Sequence, residues 1–535
     1  MNKIYFSSFL ERQPDHTLAF ADAMQYLREN PGTTFVIEPG VYTLTSNLAR
    51  ETQRAVMNGE YGGNPQRIMF NPKFEYTRGI SFAGQNGTRV EGYGVTLMVD
   101  GFMEPVSVRD CENVTVCGIR IDHKRKPYSR GIVREVSDVD ESGRRECLIE
   151  FDADCPIGEA TPLFLRFLFF NTDTYENIYV DVKDYSYVDS HHVRFIVENA
   201  WKMHYGTEFY TVHTYHSRPA ILIENATNIV LEDVTIHSQP GMGVVGNRSE
   251  NITLHRLSVV PSVGHHLSTN TDGTHFTSIK GLLRIENCVF EGQGDDFVNV
   301  HSYYHEIIEK ESDTVCYMQE KTPDGTHAQS LDYPDVGDTL ELTNRLTMQL
   351  VDSFKVTDCV PMADEWKCKV VLDHPLPDDT TDLVLSDVTR LPRLEVVGCT
   401  ARTHFARSVL IKTRNVLVEN CHFFDVIGPA IHIAPEAWWY EGVAPADVTI
   451  RGNRIVKCCS RWPDKGAITV MADSNNPQGQ CMKNIVIEDN LIDCPTTNYG
   501  IFARNVDGLT ISRNVVNTRR SQAKIESCIN VKSDL

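Results

Sequence analysis

"NVLVENCHF", residues 415–423, places apolar side chains at its second, fourth and last positions, Val416, Val418 and Phe423, with the polar pair Glu419–Asn420 interrupting it before Cys421. Alternation with period two marks a strand with one buried face. The polar pair in its middle is read as a corner. The same nine-residue design recurs as "NVTVCGIRI" (113–121), "NIVLEDVTI" (228–236), "NITLHRLSV" (251–259), "LLRIENCVF" (282–290), "RLEVVGCTA" (393–401), "DVTIRGNRI" (447–455), "NIVIEDNLI" (484–492) and "GLTISRNVV" (508–516). One such unit per roughly 20–40 residues, without helices between, describes a solenoid rather than a βαβ sheet. The fold expected is all-β, a right-handed parallel β-helix.

The seventh position of the repeat tests that reading. It holds Cys288, Cys399 and Cys421, then Asn453, Asn490 and Asn514. In a solenoid one register stacks on the next, so cysteines pack as small apolar groups and asparagines bond along a ladder. Unrelated strands would not sort their residues by height.

Two stretches lack the repeat, about 122–220 and 302–392. They contain alternating segments such as "RECLIEFDAD", "VRFIVENA", "DTLELTNRL" and "KCKVVLDHPL". These are read as two inserted antiparallel β-barrel-like domains. The expected division is an N-terminal cap and first rungs (1–121), an insert (122–220), rungs (221–301), a second insert (302–392) and C-terminal rungs (393–535). "DHTLAFADAMQYLRENPGTTFVIEPGVYTL" (15–44) reads as an amphipathic helix, a Pro-Gly break and a strand. That helix would cover the open end of the solenoid.

Composition narrows the partners. The chain has 535 residues, 41% of them hydrophobic, and a net charge of −21. That charge argues against nucleic acid, anionic lipid or an acidic polymer as the main ligand. "DHKRKPYSR" (122–130) is the dense basic stretch and reads as a solvated loop. The first residues lack a signal peptide's apolar core, and no run approaches the ~18 apolar residues of a membrane span. The 15 cysteines show no paired zinc spacing and read as reduced thiols. The expected setting is cytoplasmic, with no membrane partner and with a homodimer allowed.

Candidate chemistry lies in "NTDGTHF" (270–276) and "GQGDDFVNVH" (292–301). An aspartate pair alone is ordinary; Asp378–Asp379 in "LPDDTTD" reads as loop. Setting aside "PSVGHHLSTN" (261–270) as an outgrowth, Asp272 falls in register with Asp295 one rung away. Strands lie ~4.7–4.9 Å apart, so Asp272, Asp295 and Asp296 should converge on one exposed face. Such a cluster raises at least one carboxyl pKa. Carboxylates ~6.5–9.5 Å apart would suit inverting glycoside hydrolysis. Calcium is the rival occupant, for a lyase or epimerase acting on an acidic sugar. A glycan-binding solenoid without catalysis would have no use for three convergent acids. Asn299 and His301 alternate with Val298 and Val300 and should face outward beside the pair. His275 could order Asp272. Trp438 and Trp439, in "APEAWWYEG" (434–442), could stack on a sugar face. Arg407 and Lys412, one rung on, could add hydrogen bonds.

"NTD" followed by "GDD" resembles the polygalacturonase-type glycosidases of glycoside hydrolase family 28. The fuller segment "NTDGTHFTSIKGLLRIENCVFEGQGDDFVNVH" (270–301) resembles glycoside hydrolase family 110, the exo-acting α-1,3-galactosidases. That resemblance implies a β-helix with two inserted barrels, Asp272, Asp295 and Asp296 at the catalytic positions, and hydrolysis with inversion. It also implies a substrate with terminal α-1,3-linked galactose, such as the blood-group B determinant, and no metal cofactor. Carried over from the aspartate trio of these glycosidases, Asp295 is the general acid, and Asp272 and Asp296 hold and deprotonate the water. "NVHS" and "RSVLIK" depart from the uronate-gripping segments of family 28, which favours a neutral sugar. Ser302 stands where family 110 is expected to carry glycine, which puts the linkage in question more than the chemistry.

Overall fold

A computed structural model describes residues 2–535 apart from 63–64, 70–72, 156, 158–165, 172–175, 199–202, 215, 321–330 and 463. The repeats form a parallel β-helix. Strand Arg414–Glu419 pairs in parallel with Arg393–Val397 below and Ala446–Arg451 above, and Met482–Glu488 follows.

The corners explain the repeat's polar positions. Its first residue has positive φ at Asn113, Asn228, Asn251, Asn415, Asp447, Asn484 and Gly508. So does its sixth, at Asp233, Arg256, Asn287, Gly398, Asn420, Gly452, Asp489 and Arg513. Asn, Asp and Gly tolerate the left-handed conformation best, so they gather where the chain must turn. Each corner at the sixth position aims the seventh residue into the core, where Cys288, Cys399 and Cys421 are buried.

That column is continuous. Cys399 N donates to Cys421 Sγ at 3.4 Å, Cys421 N to Asn453 Oδ1 at 2.9 Å, Asn453 N to Asn490 Oδ1 at 3.0 Å, and Asn490 N to Asn514 Oδ1 at 3.0 Å. Each asparagine oxygen thus satisfies a buried backbone N–H of the previous rung. Asn490→Ala leaves that of Asn453 without an acceptor, and the expected cost is ~1–3 kcal/mol, read as a lower urea midpoint of the full chain.

The N-terminal end is closed by helix His16–Glu29, whose N-cap Asp15 accepts from Leu18 N at 3.0 Å. It buries Ala19, Phe20, Ala23, Met24 and Leu27 on the solenoid core, with Phe20 stacked on Phe6 at 3.9 Å. Covering the first rung in this way blocks edge-to-edge pairing. No helix among the described residues is long and apolar enough to cross a membrane.

Two antiparallel units leave the solenoid. One is a seven-stranded sheet running from Tyr128–Val136 to Glu208–Val212, with Phe151, Phe195 and Phe209 in its core. The other is a closed six-stranded barrel between His305–Ser312 and Leu383–Asp387, cored by Leu340, Leu342, Phe354 and Val370. Both brace one strand pair, Thr274–Thr277 and Val298–Tyr303. From the first unit's side, Asn270 Nδ2 donates to Thr214 O at 3.0 Å, and His266 Nδ1 meets Glu208 Oε2 at 2.8 Å. From the barrel, Asp332 Oδ2 accepts from Ser278 Oγ at 2.8 Å, and Asp335 pairs with Arg248 at 3.0 Å.

Candidate active site

Strand Thr274–Thr277 pairs with Val298–Tyr303 so that Thr274 lies over Val298 and His275 over Asn299. Phe276, Val298 and Val300 fill the core, which fixes this register. Gly273 N donates to Asp296 O at 2.8 Å. Asp272 therefore stands over Asp296, not over Asp295, one residue away from the register expected from the repeats. The turn holding the pair comes close to the rung below: a Cβ on Gly294 would lie 2.1 Å from Asn270 O. Only glycine allows that approach.

One oxygen from each of Asp272, Asp295 and Asp296 lies within 4.8 Å of the others. This is tighter than the separation expected for a water standing between acid and base. The face is also not exposed, as Asp272 is 5% and Asp296 1% accessible, with Asp295 half-buried. Its roof includes a hairpin absent from the sequence reading. Glu436 N donates to Glu441 O at 2.9 Å and Glu441 N to Glu436 O at 3.1 Å, which brings both carboxylates over the strands.

A ring of charged contacts surrounds the aspartates. Arg407, in register with Asp296 on the next rung, donates from its backbone N, Nε and Nη2 to that carboxylate at 2.8, 2.9 and 2.7 Å. Its Nη1 meets Glu436 Oε1 at 2.9 Å. Lys412, wholly buried, forms an ion pair with Glu436 Oε2 at 2.9 Å and donates to Asn299 Oδ1 at 2.9 Å and to Glu441. Asn299 Nδ2 donates to Glu441 Oε2 at 3.1 Å. His301 Nε2 lies 3.7 Å from Glu441 Oε1 and 2.8 Å from His275 Nε2, and His275 Nδ1 lies 2.7 Å from Asp272 Oδ2. His404 Nδ1 approaches Asp295 O at 3.3 Å.

Burial, Asp296, Asp295 and Glu441 push the Asp272 carboxyl well above the carboxylate range. Burial also lifts Asp296, with Arg407 pulling the other way. Both Asp296 oxygens accept from Arg407, which favours Asp296 as the ionised member of the pair and Asp272 as the protonated one. Burial opposes ionisation of Glu441, but the Lys412 ammonium holds its carboxyl well below the usual range. Burial lowers His275 to about 4, His301 to about 3 and His404 to about 4.

Two groups of side chains gather ligand atoms as a cation site would. His275, His301 and Glu441 converge within 4.8 Å, but the imidazole nitrogens are 2.8 Å apart. Two imidazoles on a tetrahedral ion at ~2.0–2.1 Å would stand ~3.3–3.4 Å apart, and Glu441 is already neutralised by Lys412. At the three aspartates a cation would compete with the Arg407 guanidinium for Asp296. Neither arrangement fits a resident metal.

Of the sequence candidates, Asp272, Asp295, Asp296, His275, Asn299, His301, Arg407 and Lys412 are gathered here. Arg407 and Lys412 bind carboxylates of the site, which changes their expected part: they hold its acids. Trp438 stands at the hairpin tip, 62% exposed, with Trp439 half-buried beside it. The residues of this hairpin that reach the cluster are Glu436 and Glu441. Their signal was two glutamates flanking the aromatic run one rung beyond Lys412, a spacing that only the hairpin turns into proximity. His404 had no sequence signal beyond lying three residues before Arg407.

No protein-family model matches the chain. It is similar to α-1,3-galactosidase B of Bacteroides thetaiotaomicron, 26% identical over 532 residues, covering 92% of this chain and 82% of that protein. Its likeness to α-1,3-galactosidase A of Bacteroides fragilis is 26% over 502 residues, covering 86% and 79%. These relatives carry the name of the family that residues 270–301 resemble. Among solved structures, the mannuronan C-5 epimerase AlgE4 A-module of Azotobacter vinelandii aligns over 97% of this chain and 96% of its own, with 9% identity and a TM-score of 0.41.

Proposed function

We propose that the protein is an inverting glycoside hydrolase that releases terminal α-1,3-linked galactose from glycans. The observation that carries this reading is the carboxylate trio with unequal environments. Asp296 is ionised and clamped by Arg407, Asp272 carries a proton, and Asp295 is the most accessible. Hydrolysis of a glycoside needs one acid with a proton for the leaving oxygen and one carboxylate to deprotonate water. We assign the acid to Asp295, whose side chain is the one open to an entering sugar. In its protonated form it gives its proton to the leaving oxygen, and the proton that Asp296 takes from the water restores it for the next turnover. Water held between Asp272 and Asp296 gives up its proton to Asp296 as it attacks the anomeric carbon.

The short carboxylate separation alone would suit a retaining pathway. Against a covalent step, both Asp296 oxygens are engaged by Arg407 and Asp272 is bonded to His275, so neither is a free nucleophile. A neutral sugar is favoured because Arg407 and Lys412 already face carboxylates and are not open to a uronate. The names of the relatives support α-1,3-linked galactose.

Proton NMR of the protein with Galα1-3Gal and the blood-group B trisaccharide tests the reading. β-Galactose is expected as the first product. α-Galactose appearing first would overturn inversion, and no galactose from either glycan would overturn the linkage.

A further inference from the structure

With both imidazoles neutral, the contacts around Asp272 leave one direction for their hydrogens. Ser302 O is a carbonyl and only accepts, so His301 Nδ1, 2.9 Å away, carries a hydrogen. Burial keeps both imidazoles neutral, so each ring has a single N–H. His301 Nε2 is then a bare acceptor, and His275 Nε2, 2.8 Å from it, must donate. That makes His275 Nδ1 bare in turn, and Asp272 Oδ2, 2.7 Å away, must supply the hydrogen. Reversing any one link sets two lone pairs, or two N–H groups, against each other at hydrogen-bond distance.

We infer that His301, acting through His275, is a positioning residue that keeps the proton of the Asp272–Asp296 pair on Asp272 and leaves Asp296 as the ionised base. The chain runs Asp272 O–H to His275 Nδ1, His275 Nε2–H to His301 Nε2, and His301 Nδ1–H to Ser302 O. Its end is fixed by a backbone carbonyl that cannot reverse its role. Ionising Asp272 would leave a carboxylate facing a bare nitrogen, so the relay resists loss of that proton. The kinetic consequence rests on the hydrolase reading; the tautomers rest on hydrogen-bond geometry and on the burial that keeps both rings neutral.

Other groups face the relay. Asp295 and Asp296 come from the turn before Val298–Tyr303, Arg407 and Lys412 from the next rung, and Glu436 and Glu441 from the hairpin. Tyr303 meets His301 edge-on at 4.9 Å, with Glu320 and Asp332 beyond it on the barrel side. On the rung below, Asn247 accepts from Thr277 at 2.9 Å and adds no charge. The carboxylates favour a proton in the cluster, and the two cations sit against Asp296, Glu436 and Glu441.

The test is histidine tautomer assignment in full-length protein labelled with 15N-histidine, from two-bond 1H–15N correlations at pH 7. His301→Gln and His275→Gln identify the signals by their loss. The expected result is an Nε2–H tautomer for His275 and an Nδ1–H tautomer for His301. Either ring doubly protonated, or the tautomers reversed, would overturn the relay. His301→Gln supplies the kinetic arm, because its amide can donate to His275 Nε2 and let His275 Nδ1–H bond an ionised Asp272. The alkaline limb of kcat/KM is expected to move to lower pH by about one unit or more. An unmoved limb would overturn the assignment of His301. If wild-type protein releases no galactose, the hydrolase reading fails while the tautomer measurement still decides the relay.

Discussion

Asp295→Asn is expected to lower kcat/KM on α-1,3-linked galactosides by about 10³-fold or more while leaving the protein folded. The amide keeps the shape of the carboxyl but has no proton to give the leaving oxygen. Asp295 is half-buried, and its backbone carbonyl stays in place beside His404. The defect should depend on the leaving group. An aryl galactoside with an acidic phenol needs little protonation, so the variant is expected to recover most of its rate on that substrate. Asp296→Asn is expected to behave differently. It removes the base and leaves Arg407 facing an amide, so activity falls on both substrates and stability falls as well. An Asp295→Asn variant equally impaired on both substrates would show that the acid lies elsewhere, with Asp272 next in line because it holds a proton.

The solenoid was legible because its rule is local. Each rung must turn at the same two positions, so Asn, Asp and Gly recur at the first and sixth residues, and the seventh points inward to build the Cys–Asn column. The Asp272–Asp296 register was missed by one residue for a physical reason. Strand register is set by which side chains enter the core, here Phe276 over Val300, and not by loop length. The loop at 261–270 can therefore absorb any excess without marking it in the sequence. The pairing of Arg407 with Asp296 was out of reach because residues 111 positions apart meet only after the barrel has been inserted between their rungs. Glu436 and Glu441 were hidden for another reason. Their function comes from a hairpin whose backbone bonds fold them onto Lys412, and the neighbouring tryptophans gave the louder signal.

Lys412→Met is expected to destabilise the protein by ~3–5 kcal/mol at neutral pH. The side chain has no measurable exposure and lies against Glu436, Glu441 and Asn299. Removing it places two buried carboxylates side by side with Arg407 as the remaining neighbouring cation. The pH dependence should change sign. In the wild type, Glu436 and Glu441 have depressed pKa values. Their contribution is present above the unfolded pKa of ~4.3 and lost as pH falls through the folded values. Lys412 is raised by Glu436 and Glu441 against the effect of burial. Its contribution is present below ~10.4 and lost as pH rises through the folded value. Without Lys412, burial and mutual repulsion raise Glu441 above its unfolded value, so the variant is worst at high pH and is relieved as the carboxyl protonates. Urea midpoints of the full chain should therefore differ most near pH 8 and converge toward pH 5. Lys412→Met combined with Glu441→Gln should recover part of the loss at pH 8, since the second change removes the stranded charge. A gap between wild type and Lys412→Met that is constant with pH would assign the loss to packing of the lysine stem, and the charge ring would then have no net part in holding the roof over the aspartates.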